Sequence, residues 1–371
     1  MKKALITGIT GQVGSYLAEY LLEKDYKVVG LVRRSSVSNF ERIEHLLNNP
    51  NISLVEGEVS DTLSVYSIVE TGCFDEIYNL AAQSHVGTSF KQPLYTFDVV
   101  AKGPLNFLEA IKKYSPKTKF FQASTSELFG SNYIAIPDLF DGRTVEKFQD
   151  EKTAFKPQSP YAVAKLAAHD LVRIYRDGYG LYATAGIIFN NESPRRGEQF
   201  VTRKITRWIG EFVKWHDPSN EMGQILNLPV QDNENRLYNS LSDSEGFPKL
   251  RLGNVDAFRD WSHTKDVVRA MYLINQAQSP NDYVVATGKT NSVRQFIKQA
   301  FLHIGIENHE DYWVVDEEFY RPAEVEYLCG KPTRIYNDLG WQTEIAFDEL
   351  VKEMVESDIN AAKKKSQQAT I

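Results

Sequence analysis

The chain has 371 residues, 42% hydrophobic and 25% charged, with a formal net charge of −7. This is the composition of a globular protein of one or two domains, and the acidic balance excludes whole-molecule attraction to nucleic acid or an acidic membrane. No run approaches the ~18 apolar residues of a membrane span, the histidines lack metal-ligand spacing, and two cysteines suit a reducing compartment, not a disulfide framework.

Residues 3–7 form a short apolar run, read as a strand and too brief for a secretion signal, so a cytoplasmic protein without metal is expected. The turn Gly8-Ile9-Thr10-Gly11-Gln12-Val13-Gly14 follows at once, and apolar residues at helical spacing run from Ser15 to Leu22. Strand, glycine turn and helix N-terminus are the context of a phosphate cradle. The glycines allow close backbone approach, and the helix N–H groups meet a dinucleotide's diphosphate. A plain turn is the competing reading, because the spacing is G-x-x-G-x-x-G rather than G-x-G-x-x-G.

The second strand, Lys27–Val32, ends in Arg33-Arg34-Ser35-Ser36. An acidic residue here would select NAD through its ribose 2′-hydroxyl. Two arginines and two serines suit a 2′-phosphate, so NADP is expected, against a merely solvated basic loop. A third strand, residues 52–57, precedes Glu58 and Val59, where an adenine would lie. The fourth, residues 76–80, runs into Ala81, Ala82, Gln83 and Ser84. The fifth, residues 119–123, ends at Ser124-Thr125-Ser126-Glu127. Strands alternating with helices predict an α/β fold, a Rossmann-type doubly wound parallel sheet. Ligands of such sheets bind beyond the carboxyl ends of the strands, where all five segments fall.

Ser159 is placed to cap a helix that Pro160 opens. Tyr161 and Lys165 then lie four residues apart, on one helical face. A cation about 4 Å from the phenol, at an effective dielectric near 20, is worth roughly 4 kcal/mol of attraction. That brings an ordinary tyrosine, pKa ~10, toward use as a base at neutral pH. A surface Tyr–Lys pair is the bland alternative.

A further strand over residues 184–190 leads to Asn191 and then to Arg195-Arg196. The next helix carries Val201, Ile205, Trp208, Ile209 and Phe212 on one stripe. Arg195, Arg196, Arg203 and Lys204 make a local positive cluster suited to a pyrophosphate, or else a solvated basic face. Residues 137–150 and 217–248 read as surface insertions. A helix through Asp266 to Ile274, a strand over 283–287 and a helix from Ser292 to His303 come next. The last helix is expected from Phe347 to about Ala362, with a frayed polar tail. The division expected is a dinucleotide-binding domain over 1–190, rejoined near 255–288, and a smaller mixed α/β substrate domain over 191–371, interleaved with it.

With these residues assembled, the chain resembles the extended short-chain dehydrogenase/reductases and, within them, the GDP-mannose 4,6-dehydratases. The likeness rests on Thr7–Gln12, Arg33–Ser36, Tyr78–Leu80 with Ala82–His85, and Gln122–Leu128. It continues through Ser159–Lys165, Glu192–Glu198, Phe200–Ile205, Arg259-Asp260-Trp261 and Tyr320–Glu326. The resemblance implies that Gly8, Ile9, Thr10, Gly11, Gln12, Val13, Arg33, Arg34, Ser35, Ser36, Glu58, Val59, Leu80, Ala81, Ala82, Gln83, Ser84, Tyr95, Lys165, Asn191 and Arg196 line NADP. Gly14, the last glycine of the turn, joins them. It implies Thr125, Glu127 and Tyr161 as catalytic, with Lys165 beside them. Asn190, Val201, Lys204, Arg259, Arg321 and Glu324 would hold the GDP portion, with Ser84 and Thr125 reaching the sugar. A homodimer or homotetramer is implied. Val13 and Glu58 stand where the family usually has Asp, and Asn191 where it commonly has His.

The chemistry this implies starts with Tyr161 taking the proton of the sugar O4 as hydride leaves C4, with Thr125 hydrogen-bonding that oxygen. Glu127 then removes the acidified C5 proton and helps the C6 hydroxyl leave as water. A carboxyl serving as base and then acid suits a raised pKa in a closed pocket. A sugar-nucleotide epimerase or 4-keto reductase needs Tyr161 and Lys165 but not Glu127, and an inactive NADP-binding regulator is the third reading. The sequence leaves GDP-mannose and a close relative such as a GDP-manno-heptose both open.

Overall fold

The computed structural model describes residues 1–36, 38–137, 144–216, 247–320 and 323–369. In chain order the elements begin β1 (Lys3–Thr7), α1 (Gln12–Glu23), β2 (Lys27–Val32), β3 (Ile52–Glu56), α2 (Thr62–Gly72) and β4 (Glu76–Asn79). They continue α3 (Val86–Lys91), α4 (Pro93–Phe97), α5 (Gly103–Tyr114), β5 (Lys119–Thr125), β6 (Ile134–Pro137), β7 (Thr144–Phe148) and α6 (Pro160–Tyr179). Next are β8 (Ala183–Ile188), β9 (Asn190–Glu192), α7 (Val201–His216), β10 (Leu250–Leu252), β11 (Phe258–Arg259), β12 (Trp261–His263) and α8 (Thr264–Gln276). The last are β13 (Asp282–Val285), β14 (Asn291–Ser292), α9 (Val293–Leu302), β15 (Trp313–Val315), α10 (Thr333–Leu339) and α11 (Phe347–Ala369).

Two compact units result. The first comprises Met1–Asn191, Arg259–Thr290 and Ala323–Glu344, and the second comprises Glu192–Phe258, Asn291–Pro322 and Ile345–Ile371. Segment Ala323–Glu344, assigned by sequence to the substrate domain, thus packs within the first unit.

The first unit is built on a seven-stranded sheet of order β13-β8-β5-β4-β1-β2-β3, and every pairing in it is parallel. The α/β expectation therefore holds, with seven strands where sequence had marked seven apolar runs. Strands buried on both faces need apolar side chains on both. Phe120 faces a layer with Phe107, Ile111, Ala164 and Val172 of α5 and α6. Its neighbour Phe121 faces Tyr16, Leu17, Val267 and Met271 of α1 and α8. One residue of pleat separates the two cores.

Helix α6 begins as its sequence demands: the Ser159 side chain accepts from Ala162 N, and Pro160 is the first helical residue. It ends at Gly180, whose φ of +67° closes the helix.

Two expectations need correction. The insertion at 137–150 is not simply a loop, since β6 and β7 pair antiparallel as a hairpin; residues 138–143 lie outside the described residues. Helix α11 runs to Ala369, past the expected Ala362, because its alanines, lysines and glutamines are good helix formers. The second insertion, apart from 247 and 248, lies outside the described residues.

In the second unit, α11 packs along α7. Gly210 makes this possible, because a Cβ there would lie 2.6 Å from the Asp358 carbonyl oxygen. Among the described residues, no helix is long and apolar enough to cross a membrane.

Candidate active site

The glycine turn is shaped for a ligand at its backbone. Gly8 has φ +71°, and Gly11 N donates to its carbonyl at 2.9 Å. A Cβ on Gly14 would lie 2.2 Å from Gly8 O, so only glycine admits this approach of loop and helix. The residue capping α1 is Gly11, which has no side chain to occupy the helix N-terminus. Ile9 points inward, fully buried against Gly30, so only its backbone can serve a ligand. Thr10 and Val13 are half-buried beside it.

Thr7 sets the turn against β4. Its hydroxyl donates to Asn79 Oδ1 at 2.7 Å and accepts from Leu80 N and Ala81 N. Leu80, Ala81, Ala82 and Gln83 are half-buried at that edge, and Ser84 is exposed. Gln83 braces its own segment, accepting from His85 N at 2.7 Å and donating to Thr96 Oγ1. On the other side of the turn, Gln12 Nε2 donates to both the backbone oxygen and Oδ1 of Asn191, at 3.0 Å each. Thr264 Oγ1 donates to that Oδ1 as well.

Arg33 and Tyr95, distant in sequence, meet at the end of β2, where Arg33 Nη1 donates to Tyr95 Oη at 2.7 Å. Arg34, Ser35 and Ser36 are exposed around them. Beyond β3, Ser64 Oγ hydrogen-bonds to Glu58 N, and buried Val59 offers its carbonyl to Asn106 Nδ2 at 2.9 Å. The segments Gly8 to Gly14, Arg33 to Ser36, Glu58 with Val59, and Leu80 to Ser84 therefore lie at the carboxyl ends of β1, β2, β3 and β4.

The expected catalytic residues stand at the end of β5 and the start of α6. Thr125 is buried, and its Oγ1 accepts from Glu127 N at 3.3 Å. Glu127 belongs to a tight turn after β5 and is half-buried. Gly130 ends that turn with φ +55°, where a Cβ would meet Lys156 O at 2.0 Å. Tyr161 and Lys165 are both buried, at 8% and 4% exposure.

Lys165 Nζ donates to Ala123 O at 2.6 Å and lies 5.8 Å from the centroid of the Tyr161 ring. The lysine is thus spent partly on the strand while it stays beside the Tyr161 ring. Burial lowers the Lys165 ammonium to about 8. Two buried oxygens near these strand ends, Ser124 Oγ and Asn190 Oδ1, have no hydrogen-bond partner, which fits a site that takes a polar ligand.

Arg259 and Glu324, both expected on the nucleotide, are brought together: Arg259 Nη2 donates to Glu324 Oε1 at 2.7 Å. Arg321 lies outside the described residues.

In the second unit, Arg196 stacks on Phe200, its guanidinium carbon 3.6 Å from the ring centroid, with its Nε 3.1 Å from buried Glu192. Lys204 Nζ lies 3.6 Å from the Phe319 ring centroid, and burial lowers its pKa. Val201 is half-buried on the same helix. Arg203, read by sequence as part of the positive cluster, is instead taken up internally. It pairs with Asp358 of α11 at 2.8 Å and donates to the carbonyls of Pro194 and Arg196. Its charge holds the loop instead of a ligand. Asp260, which the sequence places beside Arg259 without a role, is a fully buried acceptor. An acidic residue wedged beside Trp261 was the only signal for it. Among the described residues, no cluster of His, Cys, Asp and Glu is arranged to hold a metal.

A family profile described as GDP-mannose 4,6 dehydratase matches residues 5–228 and 241–354. The chain belongs to the GDP-mannose 4,6-dehydratase family. The GDP-mannose 4,6-dehydratase of Yersinia enterocolitica is 43% identical over 98% of this chain and 95% of its own. The Homo sapiens GDP-mannose 4,6 dehydratase is 43% identical over 96% and 91%.

Solved structures share the fold at lower identity. A Bacillus anthracis dTDP-glucose 4,6-dehydratase in complex with NAD has TM-score 0.73 and 20% identity, covering 99% of this chain and 98% of that one. A Thermus thermophilus UDP-glucose 4-epimerase has TM-score 0.72 and 21% identity, over 97% and 99%. These likenesses are of fold.

Proposed function

We propose that this protein is a hydro-lyase that converts GDP-mannose to a GDP-4-keto-6-deoxy sugar. What supports this reading is that Thr125 and Glu127 lie at the end of β5, that Lys165, beside Tyr161 at the start of α6, is bonded to Ala123 of the same strand, and that the chain is of the GDP-mannose 4,6-dehydratase family. An epimerase or reductase has no need of Glu127 in that company.

The glycine turn fits a dinucleotide: a Cβ on Gly14 would collide with Gly8 O, and the α1 N-terminus has no side-chain cap from Gly11. The residues that would hold it are Gly8 to Gly14, Glu58, Val59 and Leu80 to Ser84. Arg33 with Tyr95, and Arg34 with Ser35 and Ser36, favour NADP over NAD, since a guanidinium pairs with a 2′-phosphate. A nicotinamide held there would supply a reversible hydride acceptor for the sugar.

Tyr161 takes the proton from O4, its phenolate favoured by the Lys165 charge. Thr125 orients O4 through its hydroxyl. Oxidation at C4 makes the C5 proton acidic, and Glu127 removes it. Glu127 then delivers that proton to the C6 hydroxyl, which leaves as water, and the proton Tyr161 took from O4 goes back to C5 as C6 is reduced, giving the 4-keto-6-deoxy sugar. Asn190, Val201, Lys204, Arg259 and Glu324 serve the GDP moiety, and Asn191 and Arg196 serve the cofactor.

The reading extends to a cytoplasmic homodimer or homotetramer, which light scattering and cell fractionation test. The decisive experiment incubates the purified protein with a panel of GDP-sugars and follows the product by mass. Loss of one water from GDP-mannose with no net NADPH consumption supports the reading. Products that retain oxygen at C6 refute it.

A further inference from the structure

We propose that Asp260 is a positioning residue for nucleotide-sugar binding: its carboxylate joins three chain segments and thereby fixes the Arg259–Glu324 pair. This rests on the assignment of Arg259 and Glu324 to the GDP moiety made above.

Asp260 is fully buried. Its Oδ1 accepts from Thr287 N at 2.9 Å and Thr287 Oγ1 at 2.7 Å, and its Oδ2 accepts from Gly288 N at 3.0 Å and Gly330 N at 3.1 Å. A carboxylate out of water is tolerated only when its lone pairs are so filled. The donors come from the end of β13 and from the segment after Glu324, neither near Asp260 in sequence. Both glycines are required by geometry. Gly288 has φ +79°, and a Cβ on Gly330 would lie 2.3 Å from that of Ala286. The chain thus spends two glycines on bringing bare N–H groups to one carboxylate.

The same segment is gripped elsewhere. Cys329 N donates to Gln149 Oε1 at 2.8 Å, and Thr290 Oγ1 donates to Leu328 O at 3.0 Å. Val325 and Leu328 are buried against Phe189 and Val284. Asp260 connects this anchored segment to Arg259, its immediate neighbour in the chain. The outcome is that Arg259 and Glu324 meet at 2.7 Å, with side chains 8% and 20% exposed. Ser262 Oγ donates to Asn190 O at 3.3 Å, so Arg259's segment passes the end of β8. A guanidinium held by a carboxylate from a second segment has the direction of its plane fixed. Asp260 decides that direction without touching the ligand.

The test compares Asp260→Asn and Thr287→Val with the wild-type protein. The first turns an acceptor oxygen into an amide that faces a backbone N–H. The second removes the hydroxyl that donates to Asp260 and accepts from Lys289 N, and leaves the backbone donors to the carboxylate in place. With GDP-mannose as probe, Asp260→Asn is expected to raise KM roughly tenfold or more. Its kcat stays within about threefold and NADPH affinity is unchanged. Thr287→Val raises KM by about two- to fourfold. A lower melting midpoint in both variants with unchanged KM would show a mere structural anchor and overturn the proposal. If Asp260→Asn does not fold, the KM of Thr287→Val decides. A wild-type protein that fails to dehydrate GDP-mannose refutes the functional reading instead, and is recognised before any variant is compared.

Discussion

The Lys165 ammonium donates to the carbonyl oxygen of Ala123 at 2.6 Å, so the charge beside Tyr161 is anchored to the strand that carries Thr125. One bond fixes the separation between helix α6 and the end of β5. It also keeps a cation buried, and burial lowers that ammonium from its ordinary 10.5 to about 8.

Two consequences of opposite sign follow for Lys165. Turnover that needs the protonated lysine falls as pH rises through about 8. Stability moves the other way: between about 8 and 10.5 the unfolded chain binds more protons than the folded one, so stability rises with pH across that window. At neutral pH the buried charge costs about 3 kcal/mol. Lys165→Met is therefore expected to lose activity about a hundredfold or more, yet to melt no lower than wild type at pH 7. Its thermal advantage shrinks by pH 10. Calorimetry at both pH values checks this, and a variant that melts well below wild type at pH 7 contradicts it.

Arg33 reaches Tyr95 through a 2.7 Å hydrogen bond, which holds an otherwise exposed guanidinium in place. Arg33→Ala is expected to weaken NADP binding by about 2 kcal/mol, or roughly thirtyfold, and to leave NAD binding nearly unchanged. Tyr95→Phe removes the acceptor and shifts affinity the same way by less. Titration of both cofactors against each variant gives the answer. Equal losses for NAD and NADP would mean that Arg33 does not read the 2′-phosphate.

The opposite edge of the sheet carries a purely structural network. Glu76 is buried, and its carboxylate accepts from Gln276, Lys2, Tyr26 and Tyr78. Burial alone would raise its pKa, but these donors outweigh it and hold the carboxyl below its ordinary 4.5. Its contribution to stability is complete above that value and is lost as pH falls through the lowered pKa. Glu76→Gln is expected to cost about 2–3 kcal/mol at pH 7 and to flatten the acid limb of the stability profile. KM for GDP-mannose should not move. Urea unfolding at pH 7 and below pH 4.5 tests both parts.

How much could be read before folding depends on the range of the interaction. Ser159 and Pro160 start a helix by contacts within one turn, so the site's first helix was legible residue by residue. Thr7 to Gly14 was legible for the same reason. Arg203 was misjudged, because its partner Asp358 lies 155 residues away on another helix, and a cation's availability depends on who neutralises it. The Asp260 clamp and the Gln149–Cys329 bond join segments that no local periodicity connects. The β6–β7 hairpin was missed because its strands are short and have little alternation for a pattern to show.

The most direct test of the account is a single turnover of Glu127→Gln with GDP-mannose, read by NADPH absorbance and product mass. If Tyr161 opens the reaction and Glu127 removes the C5 proton, NADPH forms and persists while loss of water falls about a hundredfold or more. Dehydration at the wild-type rate in this variant would contradict it.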